Sequence, residues 1–175
     1  MSETGLKRLE AWVQAKNLAV FVYQNVVPCF PPDEKWGLSA QLKRSASSIP
    51  ANIAEGYGRY YYQSNIQFCY NARGSLQETI SHVLLAAELG FLPPEIYAAF
   101  NEKTEALTIL LNGYIAYLKN LKLDQMKLTS RSMKFKQITS LLIHSWKVVT
   151  NDFDNSPFSI FQSQFARRQI CIIDV

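Results

Sequence analysis

The sequence predicts an all-α protein, an antiparallel up-and-down four-helix bundle over residues 1–123 followed by a C-terminal extension over 124–175. Three observations carry that prediction. Four long stretches repeat apolar residues at helical spacing, the connections between them are short and rich in proline or glycine, and no convincing apolar–polar alternation occurs before residue 130.

The first helix is predicted from about Lys7 to Val27, where Pro28 and Pro31-Pro32 end it because proline has no amide to continue the ladder. On a helical wheel, residues 12–27 place Trp12, Ala15, Leu18, Ala19, Val22 and Val26 among an apolar arc of roughly 220°, against the roughly 100° of an ordinary surface helix. Only Lys16 interrupts it. Such a helix sits centrally in its domain or also faces a second subunit.

A second helix is predicted to start after Pro31-Pro32-Asp33, with Asp33 and Glu34 at the positive end of its dipole, and to run toward Tyr57. Pro50 lies inside it and predicts a kink near Ser47-Ser48-Ile49. Ser45, Ala46, Ser47, Ser48, Ala51 and Ala54 are small enough for another backbone to come close, and Gly56 and Gly58 read as its stop. The third helix spans about Gln63 to Leu89, with Gly90 ending it. The fourth opens at Pro93-Pro94-Glu95 and carries a seam of Ile96, Phe100, Leu107, Leu111, Tyr114, Leu118 and Leu121.

Beyond Leu123 the pattern changes. Phe135, Ile138, Leu142, Trp146 and Val149 fit one short amphipathic helix, residues 151–157 read as a break, and Ile170-Cys171-Ile172-Ile173 has no assignable pattern. Composition leaves open whether this extension is a docked extra, a mobile arm or sequence of different origin.

At 175 residues, 48% hydrophobic and 18% charged, the chain is long and apolar enough for one real core, which excludes disordered and collagenous classes. Three distant cysteines without a CxxC indicate neither a disulfide framework nor a thiolate zinc site. The N-terminus lacks the apolar stretch of a secretory signal, and no run of about 18 apolar residues is present to span a bilayer. A soluble, cytoplasmic protein with no membrane partner is expected. The net charge of +4 is unevenly placed. Residues 1–118 carry nine Lys/Arg against ten Asp/Glu, whereas residues 119–136 carry Lys119, Lys122, Lys127, Arg131, Lys134 and Lys136 against Asp124 alone.

The stretch Leu38-Ser39-Ala40-Gln41-Leu42-Lys43-Arg44-Ser45-Ala46-Ser47-Ser48-Ile49-Pro50-Ala51-Asn52-Ile53-Ala54-Glu55-Gly56-Tyr57-Gly58-Arg59 resembles the signature of the four-helix bundle family first named as 23S rRNA-intervening-sequence proteins. Phe68 followed by Ala72-Arg73-Gly74-Ser75-Leu76-Gln77-Glu78, and the opening Leu9-Glu10-Ala11-Trp12-Val13-Gln14-Ala15, resemble the same family in the same order. The resemblance covers about residues 6–121. It implies an up-and-down bundle assembled as a ring-like homopentamer, with no established enzymatic activity. It also implies kinship with accessory proteins of diversity-generating retroelements, basic pentameric bundles that bind nucleic acid and a reverse transcriptase. Residues 1–118, at a net −1, depart from that basic character.

Arg44, Asn52, Glu55, Arg59, Ser75 and Glu78 form the most tempting active site. They read instead as a structural polar network that fixes helix register around Pro50, with Asn52 available to amides or carbonyls that the kink leaves free. Glu78 and His82 stand at i,i+4, but a bundle di-metal site needs two Glu-x-x-His pairs and this chain has two histidines and no such pair. Neither Cys29 nor Cys69 has a neighbouring histidine, and no phosphate-cradling glycine motif occurs. No catalytic residue, cofactor or metal is therefore assigned, and a non-enzyme is expected.

Two surfaces suit RNA or DNA. Arg59-Tyr60-Tyr61-Tyr62 sets one cation beside three aromatics that can stack on unpaired bases, or else bury their rings against a neighbouring helix or subunit. The segment Lys119, Lys122, Lys127, Arg131, Lys134 and Lys136, repeated around an oligomer, would attract phosphates, or else simply solvate a helix end. The sequence thus points to a self-associating, nucleic-acid-associated accessory protein. The alternative is a structural homo-oligomer whose partner is another protein, such as a reverse transcriptase.

Overall fold

The computed structural model describes residues 3–150, with side chains described for residues 5–144. The chain divides into two units, Met1–Gln125 and Met126–Val175. A single turn, α1 (Glu3–Leu6), precedes α2 (Glu10–Phe21), which passes into a π-helical turn, Val22–Val26, and a 3-10 turn, Val27–Cys29. The π turn lies directly ahead of Pro28, where the missing amide and the ring disfavour ordinary helical bonding.

A further 3-10 turn, Pro32–Lys35, stands where the sequence suggests the second helix should start. The helix itself, α3 (Leu38–Tyr57), begins at Gly37, and Glu34 caps it by accepting the Leu38 amide at 2.8 Å. A Cβ at Gly37 would sit 2.6 Å from that carboxylate, so the cap needs glycine there. Pro50 lies inside α3, which runs through it to Tyr57.

The stop of α3 falls at Gly58, as the sequence suggests, but the role read for Gly56 is corrected. Gly56 is inside the helix and buried, and Gly58 has an ordinary right-handed φ of −73°. A Cβ on Gly56 would meet Asn65 Oδ1 at 2.8 Å and Phe68 Cβ at 2.9 Å, so this glycine serves close approach of the next helix instead of a left-handed stop. Gly90 does have positive φ, 73°, and ends α4 (Tyr62–Glu88) as its position suggests. Pro94 then opens α5 (Pro94–Thr150).

Cross-helix contacts establish the topology of the first unit. Ser48 meets Ser75 and Arg44 meets Glu78, so α3 and α4 are antiparallel. Gln63 meets Lys122 and Arg73 meets Asn112, so α4 and α5 are antiparallel. Tyr23, just past α2, reaches the Lys43 carbonyl, and Lys103 sits over the Phe21 ring, so α2 lies between α3 and α5. Four helices packed up and down around one core is the architecture the sequence predicts. That core contains Leu18, Leu42, Ile49, Ile53, Leu76, Val83, Phe100, Leu107 and Leu111, all essentially solvent-free, each contributing about 1.5–3 kcal/mol of transfer free energy.

The second correction concerns Leu123. The fourth helix was expected to end there and a separate short one to follow; instead α5 is helical to Thr150. No glycine or proline occurs between Gly113 and Pro157, so nothing local stops the ladder. In the second unit Phe135, Ile138 and Leu142 are exposed helical residues. The break read at 151–157 and the apolar run at 170–173 lie outside the described residues.

Candidate nucleic-acid interface

The α3–α4 connection is short because both helices end at their own signals: Gly58 caps α3 and Tyr61 takes an extended conformation before α4. That geometry turns Tyr60 and Tyr61 outward, 87% and 69% exposed in the single chain, with their rings edge to face at 5.1 Å. Tyr62, the first residue of α4, instead packs against the core. Arg59 pairs with Glu55 one turn back and lays its guanidinium over the Phe68 ring at 4.9 Å. Arginine held flat on an aromatic face loses little further freedom when it meets a phosphate.

Two of the six sequence-predicted basic residues join this surface. Lys122 reaches Gln63 at 2.6 Å, next to Tyr62, and Lys119 lies 5.4 Å over the ring of Tyr70, which Arg73 also covers at 4.9 Å. Lys122, Lys119 and Arg73 with the Tyr70 ring thus line the α4–α5 flank, whereas Arg59 lies over Phe68 on the side of α4 that meets α3. Lys127, Arg131, Lys134 and Lys136 are exposed helical residues of the second unit.

Below the connection lies an open cleft of about 510 Å³. Its walls hold five tyrosines, Tyr57, Tyr60, Tyr62, Tyr114 and Tyr117, with Leu118 and Leu121 beneath. Arg8 and Arg59 stand at it, and no carboxylate of the described residues lines it. Asn65 donates to the Tyr114 hydroxyl at 3.1 Å, while burial raises the Tyr114 pKa above its ordinary value. Sequence reading missed Arg8, Tyr57, Arg73, Tyr114 and Tyr117 as members of this surface. The available signal was Tyr114 in a seam otherwise made of Ile, Leu and Phe100, with Tyr117 at i+3.

The polar set separates into three pieces. Asn52 Nδ2 donates to the Ser48 carbonyl at 2.8 Å and to Ser48 Oγ at 2.9 Å, and Ser48 Oγ is 2.9 Å from Ser75 Oγ. The carbonyl that Pro50 deprives of its helical donor belongs to Ala46, and Asn52 instead serves the Ser48 carbonyl two residues on. Arg44 and Glu78 bond at 3.0 Å with both side chains exposed, a pair worth about 0–1 kcal/mol. Glu55 belongs with Arg59. The buried polar partners are hydroxyls: Ser45 donates to the Leu42 carbonyl at 3.1 Å and lies 3.0 Å from Thr79 Oγ1, itself 2.8 Å from the Ser75 carbonyl.

His82 Nε2 stands 3.6 Å from Glu78, and among the described residues no group of three His, Cys, Asp or Glu is close enough to hold a metal. Burial lifts the Cys69 thiol to about 11, which keeps it protonated at neutral pH. Among the described residues no helix is long and apolar enough to cross a membrane.

Fold and surface together define a small helical bundle protein bearing a cation–aromatic flank. The family model of the 23S rRNA-intervening sequence protein matches residues 7–113, more than half of the chain, and the protein belongs to that family. No curated protein matches it.

Proposed function

We propose that this protein is a non-enzymatic accessory protein that associates with RNA or DNA as a homo-oligomer. The observation that supports the reading best is the outward pair Tyr60 and Tyr61 beside Arg59, continued by Lys122, Lys119 and Arg73. Exposed rings offer stacking faces to unpaired bases, and the cations answer phosphates. Lys127, Arg131, Lys134 and Lys136 add a second positive segment, and repetition around a pentamer, the number the resemblance implies, multiplies modest single-site attraction.

Self-association draws on the edge of α2 and the π turn that follows it. Val20 and Tyr23 remain nearly half exposed, and they border an apolar groove of about 320 Å³ with Ala19, Ser47 and Pro50. The same groove favours the second reading, a scaffold whose partner is a protein such as a reverse transcriptase.

The test is binding to single-stranded and duplex RNA and DNA across a salt series, with assembly mass recorded in the same buffers. Affinity should fall log-linearly with salt. Neutralising Lys119 and Lys122, or Lys127, Arg131, Lys134 and Lys136, should lower the slope by about 0.7–0.9 for each phosphate that no longer meets a cation. An intact oligomer that binds neither polymer at low salt would leave the scaffold reading in its place.

A further inference from the structure

We infer that the tyrosine cleft is a binding site for one unpaired nucleotide, its base between the rings and its phosphate toward Arg8 and Arg59. The inference rests on the nucleic-acid reading and gives it a substrate class, single strands or strand ends as opposed to duplex.

Size comes first. About 510 Å³ falls within the roughly 300–1,000 Å³ of ordinary small-molecule sites, room for a base and its sugar and far too little for a base pair in its stack. Wall chemistry comes second. Tyr57, Tyr60, Tyr114 and Tyr117 present flat, polarisable faces, and Leu118 and Leu121 supply an apolar floor, which suits a planar heterocycle better than a flexible chain.

Charge comes third. Glu55 answers Arg59, but among the described residues Arg8 has no ion-pair partner and no acid lines the cleft, so Arg8 is the cation there that a phosphate can meet. Hydrogen bonding comes last. The Tyr114 hydroxyl accepts from Asn65, so its own proton is left to donate to a carbonyl or ring nitrogen, and its raised pKa keeps that proton in place. Gly5 completes the rim: a Cβ there would sit 2.4 Å from Tyr57 Oη, so glycine lets the chain close over that ring.

The experiment compares a short fluorescent oligothymidylate with the same strand annealed to oligoadenylate, using the full-length protein. The single strand should bind tighter. Tyr60→Leu and Tyr117→Leu, both at exposed positions, should each weaken single-strand binding about tenfold while leaving duplex binding and the thermal midpoint unchanged. Arg8→Gln should reduce the single-strand salt slope by about 0.7. Thymidine monophosphate should quench tyrosine fluorescence in the wild type and much less in Tyr117→Leu.

Equal binding of single strand and duplex, untouched by the tyrosine variants, would overturn the cleft while leaving nucleic-acid association standing. Failure of every probe, polymer and monophosphate, at low salt would remove that reading and the cleft together.

Discussion

The two flanks of α4 are built from opposite materials. Toward α3 it presents Ser75, Leu76, Thr79 and Val83, small or apolar groups whose hydroxyls meet Ser45 and Ser48 inside the protein. Toward α5 and the α3–α4 connection it carries Tyr70 and Arg73 beside Lys119, large groups whose cations lie over a ring at the surface. The first flank satisfies its buried hydroxyls internally, with His82 Nε2 left without a hydrogen bond beside Glu78. The second keeps rings and charges in water, which contributes little to folding. The proposed function assigns association to that second flank, and each half of the division can be tested.

The largest effect should come from disturbing the seam at its tightest point. Gly56→Ala places a methyl 2.8 Å from Asn65 Oδ1 and 2.9 Å from Phe68 Cβ, forcing α3 and α4 apart. Overpacking of this kind costs about 1–3 kcal/mol, to be read by chemical denaturation. Because Asn65 also holds the Tyr114 hydroxyl, the same variant should loosen the cleft, and single-strand affinity should fall with stability. An unchanged denaturation midpoint would mean that the seam is not close-packed at Gly56.

A smaller effect separates the buried side of α4 from its solvated side by pH. Burial raises the Cys69 pKa from 9.0 to about 11, so the folded chain holds this proton more firmly than the unfolded chain does. The sign follows from linkage: the contribution is complete below pH 9.0 and is lost as pH rises toward 11. Tyr114 is raised for the same first reason and adds to the loss at higher pH. Stability should therefore decline from about pH 9 in the wild type, and Cys69→Ala should show a shallower decline across that window. Equal slopes in the two proteins would show that the thiol is not desolvated in the native state.

The boundaries of this fold were legible because they are chemical: proline at 28 and 94 cannot continue a preceding helix, and Gly90 can take the positive φ that ends one. Arg59-Tyr60-Tyr61-Tyr62 stands out in the sequence because it is contiguous, but contiguity does not show that Tyr62 packs against the core while Tyr60 and Tyr61 face out. Gly56 was misread since glycine serves both a helix stop and a close approach, and only the neighbour, Phe68, distinguishes them. The cleft was not legible at all. Arg8, Tyr57 and Tyr117 come from three separate elements, and nothing local to any of them announces the others. The helix beyond Leu123 was missed through reading a change of pattern as a change of structure, although a stop needs a residue that cannot continue.

The smallest effect addresses what lies against the outer faces of α4 and α5. Gly74 and Gly113 sit in helix interiors, where glycine costs about 0.5–1 kcal/mol relative to alanine. Within one chain nothing stands within 4 Å of a Cβ built on either, so packing in the single chain gives no reason for them. In an isolated subunit Gly74→Ala and Gly113→Ala should each raise stability by about that amount. If another copy's backbone approaches these faces, the same methyl groups would instead reduce assembly mass while the subunit gains stability. Denaturation and mass measured on the same samples tell the cases apart. A gain in stability with the mass unchanged would direct the search for the subunit interface to Val20, Tyr23 and the groove beside Pro50.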